Sequence, residues 1–192
     1  MTTTFPHVDK KSLRARLLAQ RDQLSQAEVE LRSQKVVTHL LALDVWQRIK
    51  SVALYAPIRN EVQLIGVGKE KEIYYPRVTG EVLEFYRVTS EKDLKPGRFN
   101  IPEPSGESEA KASLQKVEVV IVPGVGFDRE GYRLGYGQGF YDKTLTGHEK
   151  YAGVVIGVAY DFQVLDHIPR DSRFDEVRCD WVVSESQVYQ TN

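Results

Sequence analysis

A glycine-dense stretch between Val119 and Asp142 carries the residues best suited to chemistry. It reads Val-Val-Ile-Val-Pro-Gly-Val-Gly-Phe-Asp-Arg-Glu-Gly-Tyr-Arg-Leu-Gly-Tyr-Gly-Gln-Gly-Phe-Tyr-Asp. Gly124, Gly126, Gly131, Gly135, Gly137 and Gly139 all fall inside it. Glycine permits positive φ and lets backbone N–H groups approach a ligand closely. An apolar strand-type run, a glycine loop and a helix start, in that order, describe a cradle for a nucleotide's phosphates. Two familiar phosphate motifs do not fit. The dinucleotide fingerprint needs a third glycine where Arg129 stands, and the P-loop pattern needs Lys and Ser/Thr where Tyr132 and Arg133 stand.

Other candidates lie elsewhere in the chain. Lys10 and Arg14 are four apart on a helix face, and are either ordinary surface charge or two cations reaching one anion. Glu61 follows an apolar run in the loop Pro57-Ile-Arg-Asn-Glu61, at the strand end where open α/β sheets gather ligands. Phe99 sits in a loop rich in proline and glycine, where it either walls a flat ligand or packs inward. Cys179 is the one cysteine, so an internal disulfide is impossible; it reads as a small residue buried beside a strand.

The elements that must position these residues follow from periodicity. Residues 10–24 read as a helix with Leu13, Leu17 and Leu24 on one face and Asp9 as N-cap. Ser25-Gln-Ala-Glu28 is a capping-box pattern opening a second helix. Together they form an N-terminal helical segment at about residues 9–44. Strands are expected at 51–56, at 72–78 with a stop at Pro76, at 82–88 near an edge, in the run from Val119, at 151–160 and at 180–185. Asp128 stands at the end of the run from Val119, where it braces the loop. Residues 140–148 read as a short helix. The segment after Glu61 leaves room only for a brief crossover helix, while 95–106 and 164–175 read as loops. Strands alternating with short helices or loops indicate an α/β sheet covered on both faces.

The chain of 192 residues suits one domain, residues 1–192. Its 26 basic and 27 acidic residues give a formal charge of −1, which argues against a nucleic-acid binder. The N-terminal residues lack the apolar segment of a signal peptide, and no run approaches the roughly 18–20 residues of a membrane span. The expectation is a soluble, cytoplasmic protein working as a monomer on small molecules, with no membrane partner.

Read as one string, the stretch is P-G-x-x-F-D-x-x-G-x-R-L-G-x-G-x-G-[FY]-Y-D. It resembles the signature of the 5-formyltetrahydrofolate cyclo-ligase family, also called 5,10-methenyltetrahydrofolate synthetase. The likeness extends to Lys10-Lys-Ser-Leu-Arg14, Tyr55-x-Pro-x-x-x-Glu61, Tyr75-Pro-Arg-Val78, Asn100-Ile-Pro-Glu-Pro104 and the acid-bearing segment from Phe174 to Asp180. The chain departs from the family at Gln138, Phe140 and Lys143, and the segment after Glu61 is short. The resemblance implies a three-layer α/β/α sandwich with a mostly parallel central sheet, like the sugar-phosphate isomerases and CoA transferases. It also implies ATP as co-substrate, Mg2+, and a reduced folate as substrate. Lys10, Arg14, Arg133, Leu134, Gly135, Tyr136, Gly137, Gln138, Gly139, Phe140 and Tyr141 would then bind ATP. Arg133 and Tyr141 would serve the reacting centre, Glu61 and Phe99 the folate, and Asp142 and Asp175 the metal. For Asp142, a helix cap is the competing role. Arg77 is either a contact for the folate's glutamate tail or an exposed strand-end arginine. A binding protein without turnover and a phosphosugar isomerase of the same fold are the rival readings.

Overall fold

The computed structural model describes residues 9–105, 111–147, 150–170 and 175–191. Of the features read above, the N-terminal residues, 106–110, His148 and 171–174 lie outside this set. Helix α1 (Lys10–Asp22) opens under the Asp9 carboxylate, which accepts from the N–H groups of Lys11 and Ser12 at 2.7 and 2.9 Å. Helix α2 (Gln26–Leu41) opens on Ser25, whose capping box with Glu28 is complete. Each device satisfies N–H groups that the first helical turn leaves without partners. A short helix α3 (Asp44–Arg48) follows, which the apolar periodicity did not separate from α2.

The strands are β1 (Ser51–Ala53), β2 (Glu72–Thr79), β3 (Val82–Arg87), β4 (Leu94–Pro96), β5 (Pro102–Pro104), β6 (Lys111–Ala112), β7 (Val119–Val122), β8 (Gly126–Asp128), β9 (Arg133–Leu134), β10 (Val154–Val158), β11 (Val164–Leu165), β12 (Trp181–Val183) and β13 (Val188–Gln190). Helix α4 (Phe140–Leu145) lies between β9 and β10. The main sheet has eight strands in the order β13-β12-β10-β7-β1-β2-β3-β6. From β12 to β2 every neighbouring pair is parallel, while β13, β3 and β6 join antiparallel. The chain builds outward from β1 to β6, then returns to the centre at β7 and builds the other way. That reversal, between β1 and β7, is where open α/β sheets place a ligand crevice.

Strand β7 is buried along its whole length, so its four residues are all apolar. Val119 and Ile121 pack with Val36 and Leu40 of α2 and Trp46 of α3. Val120 and Val122 pack on the other face with Phe127 and with Leu145 of α4. This is the expected mixed α/β architecture around a mostly parallel sheet. Helix α1 covers neither main face. Its Leu13 and Leu17 pack with Val125, Leu134 and Ile168 on a small sheet, β11-β8-β9. Gly126 makes the approach possible: a Cβ there would lie 2.8 Å from Leu17.

Several local expectations change. Strand β2 runs through Pro76 instead of stopping there. The Ile73 carbonyl accepts from Val88 on the β3 side, and the Tyr74 carbonyl accepts from Leu54 on the β1 side. Edges alternate by residue, so position 76 faces the β1 side, where β1 pairing has ended at Tyr74. The N–H that proline lacks would have had no partner there. The loop at 95–106 contains a small hairpin, β4–β5. Residues 61–71 contain turns and no helix, and the last strand has an antiparallel companion, β13. Asp128 is not at the end of the central strand. It sits in β8 and accepts from the N–H groups of Glu130, Tyr132 and Ile168, bracing the β8–β9 turn. Cys179 is buried in the core, and burial pushes its thiol up to about 12. A thiol so hard to ionise is no nucleophile.

Candidate active site

The six glycines divide into two groups. Gly124 lies between β7 and β8, Gly126 and Gly131 lie in the β8–β9 hairpin, and only Gly135, Gly137 and Gly139 reach the cavity. Gly137 and Gly139 have φ of 105° and 70°, a conformation that puts a residue with a side chain under strain. The loop they form runs directly into α4. It faces a cavity of about 960 Å³ at the C-terminal ends of β1 and β7. That volume is near the top of the roughly 300–1,000 Å³ range of small-molecule sites.

The cavity lining brings together Lys10, Arg14, Glu61, Phe99, Arg133, Leu134, Gly135, Tyr136, Gly137, Gln138, Gly139, Phe140, Tyr141, Asp142 and Asp175. These come from α1, the loop after β1, the β4–β5 hairpin, the glycine loop with α4, and the segment before β12. On the glycine-loop side, Arg14 Nε donates to the Gly135 carbonyl at 2.7 Å, and Lys10 pairs with Glu176. Arg133 is 9% exposed; its Nη2 bonds Asp142 Oδ2 at 3.0 Å and its Nη1 donates to the Pro123 carbonyl at 3.3 Å. Its guanidinium stands 5.3 Å over the Tyr141 ring. Burial raises the Tyr141 phenol well above its ordinary range, so it remains a neutral donor.

Asp142 does not cap α4, whose N-cap is Gly139 without a side-chain bond. Its second oxygen accepts from the Val177 N–H at 3.1 Å, so the carboxylate clamps Arg133 to the segment carrying Asp175 and Glu176. Thr146 reaches the Asp175 carbonyl at 3.5 Å. Among the described residues, no group of three or more His, Cys, Asp or Glu could hold a metal unaided. Magnesium commonly takes one or two carboxylates together with substrate phosphates and waters. Asp142 and Asp175 both line the cavity, with both oxygens of Asp142 already accepting from Arg133 and Val177.

The opposite wall is apolar, built by Pro76, Val78, Leu83, Ile101 and Pro102. Phe99 is not packed inward. It is exposed at the tip of the β4–β5 hairpin, in the left-handed region at φ 59°, with its ring 6.3 Å from Phe140. Arg98 lies over both rings. Arg77 does not stand free: it donates to the Ser105 carbonyl at 2.7 Å. Glu61 is buried, with Oε2 accepting from the Ile58 N–H and Oε1 from the Tyr136 hydroxyl, both at 3.0 Å. Tyr55 secures the same loop by donating to the Val62 carbonyl at 2.7 Å.

Five charged residues at or behind the site were given no site role by the sequence reading: Arg21, Arg59, Glu103, Lys143 and Glu176. Arg21 had a signal, since Lys10, Arg14, Leu17 and Arg21 recur at helical spacing along one stripe of α1. The buried Glu103 had none. It lies on β5, and burial raises its carboxyl above the ordinary range.

A phosphate-type glycine loop with cations, facing an apolar wall and a buried carboxylate at the switch point of a parallel sheet, defines a nucleotide-using α/β enzyme. Comparison with known proteins makes this specific. The family model described as the 5-formyltetrahydrofolate cyclo-ligase family matches residues 6–185. The chain belongs to that family of ATP-dependent ligases. It is 30% identical over 169 residues to the 5-formyltetrahydrofolate cyclo-ligase of Haemophilus influenzae, covering 84% of this chain and 87% of the relative. It is 32% identical over 183 residues to the probable enzyme of Schizosaccharomyces pombe, covering 85% and 90%. The NMR structure of Aquifex aeolicus 5,10-methenyltetrahydrofolate synthetase superposes with TM-score 0.83 at 40% identity, covering 95% of this chain and 93% of the other. The corresponding Mycoplasma pneumoniae structure gives 0.73 at 27% identity, covering 93% and 100%.

Proposed function

We propose that the protein converts 5-formyltetrahydrofolate to 5,10-methenyltetrahydrofolate in the cytoplasm, consuming ATP and releasing ADP and phosphate. One observation carries this reading: a single cavity joins the glycine loop and its cations to an apolar wall with a buried carboxylate. ATP suits the first half, and the flat pterin of a reduced folate suits the second. Both halves come from one chain, which supports a monomer as the working unit.

A formyl group on nitrogen is amide-like and a poor electrophile. Its oxygen takes the γ-phosphoryl group from ATP, and the bond from that phosphorus to the ADP oxygen breaks. N10 of the folate then attacks the activated carbon. Phosphate departs with the former formyl oxygen, and N10 loses its proton as the ring closes. Such transfer depends on positioning and charge neutralisation more than on covalent help from the protein. Backbone amides of the glycine loop would hold phosphate oxygens, Arg133 would spread charge over the transferring group, and Lys10 and Arg14 would close from α1. Magnesium, held by Asp142 and Asp175, would add charge neutralisation at the phosphates. Tyr141 would donate its phenol hydrogen bond near the reacting atoms. Glu61 would accept from pterin N–H groups, and Phe99 would cover the ring.

The test is direct: mix protein, ATP, magnesium and 5-formyltetrahydrofolate and follow the methenyl product by absorbance. ATP-dependent product supports the reading; its absence sinks it. Within the same assay, Lys10→Ala and Arg14→Ala should each raise the KM for ATP about tenfold while changing that for folate less, as loss of a charge-assisted hydrogen bond implies. A larger effect on folate would assign α1 to the other substrate.

A further inference from the structure

Arg21 lines no part of the cavity, yet it lies where the cavity's two halves are joined. It is 1% exposed, on the inner stripe of α1. A guanidinium taken out of water persists only if it is paired and hydrogen-bonded. Its Nη1 donates to the Gly124 carbonyl at 3.2 Å and stands 3.8 Å from Glu61 Oε1. Its Nη2 donates to the Tyr136 hydroxyl, which in turn donates to Glu61. Three segments far apart in sequence therefore meet on one side chain: α1, the loop after β1, and the glycine loop.

Taking Glu61 as the folate-orienting carboxylate proposed above, we propose that Arg21 is its positioning residue. Arg21 supplies the counter-charge of Glu61, ties that carboxylate to the glycine loop through Tyr136, and is itself anchored on the Gly124 carbonyl after β7. Burial pushes the Glu61 carboxyl up, towards the neutral form. Against it act Arg21 first, then the Ile58 N–H, the Tyr136 hydroxyl and the more distant Arg133. The phenols of Tyr55 and Tyr141 also face Glu61, and burial keeps both neutral. Arg59 is engaged with Asp22 at 2.5 Å. Among the described residues, Arg21 is the one cation in an ion pair with Glu61.

An opposite charge within about 4–6 Å favours the ionised carboxylate by roughly ten- to a thousandfold in its proton equilibrium. Without Arg21, burial of Glu61 would meet less opposition, so the carboxyl would take up a proton at a higher pH than in the wild type and lose its power to accept at that oxygen. Folate affinity would then be weak at low pH and recover as the pH rises.

The experiment measures the Kd of 5-formyltetrahydrofolate by calorimetry, without ATP, across the whole pH range in which wild type and variant both stay folded. In the wild type, folate affinity should fall only where Glu61, held ionised by Arg21, takes up its proton on the acid side. In Arg21→Met that fall should begin at a pH higher by about one unit or more, the lower limit of what losing such a counter-charge implies. Arg21→Lys should keep the wild-type pH profile with a severalfold loss. Glu61→Gln should be weak and flat, and adding Arg21→Met to it should create no pH dependence. ATP affinity should change less than folate affinity throughout. A folded Arg21→Met with the pH profile of the wild type would overturn the assignment, as would equal losses for both ligands. If Arg21→Met does not fold, Arg21→Lys and Tyr136→Phe decide: folate-selective weakening supports the assignment, and equal weakening of both ligands overturns it. Failure of the underlying reading looks different, since Glu61→Gln would then bind folate like wild type.

Discussion

Replacement of Arg133 by methionine is expected to lower kcat by about three orders of magnitude while leaving folate affinity nearly unchanged. An arginine placed on a transferring phosphoryl group is worth roughly 10³–10⁵ in rate. Arg133 is built for such a task. It is pinned by Asp142 and the Pro123 carbonyl and stacks on Tyr141, yet its buried Nε has no hydrogen-bond partner. The fork is thus oriented before a ligand arrives, which spares the cost of ordering it at the moment of reaction. Methionine keeps most of the volume and removes the charge, leaving Asp142 without its guanidinium. A thermal melt run alongside the kinetics separates lost catalysis from lost fold. Arg133→Lys should recover only a small part of the rate, because a point charge cannot serve Asp142 and a phosphate together. A folded methionine variant within tenfold of wild-type kcat would remove Arg133 from the chemistry.

Glu61→Gln should reduce kcat/KM for 5-formyltetrahydrofolate by up to about a hundredfold, with the KM for ATP almost unmoved. Hydrogen bonds to charged groups contribute about 1.5–3 kcal/mol, and a buried site offers no water to replace them. The substitution preserves shape. It exchanges an acceptor for an amide donor that faces the Tyr136 hydroxyl and the Ile58 N–H, so the remaining oxygen cannot serve protein and pterin together. Steady-state kinetics with each substrate varied in turn would show the split. Equal losses on both substrates would mean that Glu61 supports the loop rather than the folate.

How much of this was legible in the chain follows from where the information is local. The capping devices at Asp9 and Ser25 are short-range, and both helices start where those residues stand. The buried strands announce themselves through runs such as Val119–Val122. Pro76 misled because the cost of a proline depends on which sheet edge it faces, and that is set by β1 ending nearby. The glycine stretch looked like one cradle. Half of it is a hairpin, and the division depends on Gly126 admitting Leu17 from a helix more than a hundred residues earlier. The residues expected at the site all line one cavity; those from Arg133 to Asp142 are neighbours in one motif, while Lys10, Arg14, Glu61, Phe99 and Asp175 are brought to it by the fold. Arg21 and Glu103 were harder to see. A buried charge is recognisable only once its partners are, and those partners come from other segments.

Phosphoryl transfer to the formyl oxygen is the step on which the proposal depends, and an isotope follows it directly. The protein would be given 5-formyltetrahydrofolate carrying ¹⁸O in the formyl group, with unlabelled ATP and magnesium in unlabelled water. The released phosphate would then be examined by mass spectrometry. The account predicts one ¹⁸O in each phosphate released, matched mole for mole by methenyl product. Unlabelled phosphate accompanying methenyl product would contradict it, since the formyl oxygen would then leave by a route that ATP does not activate.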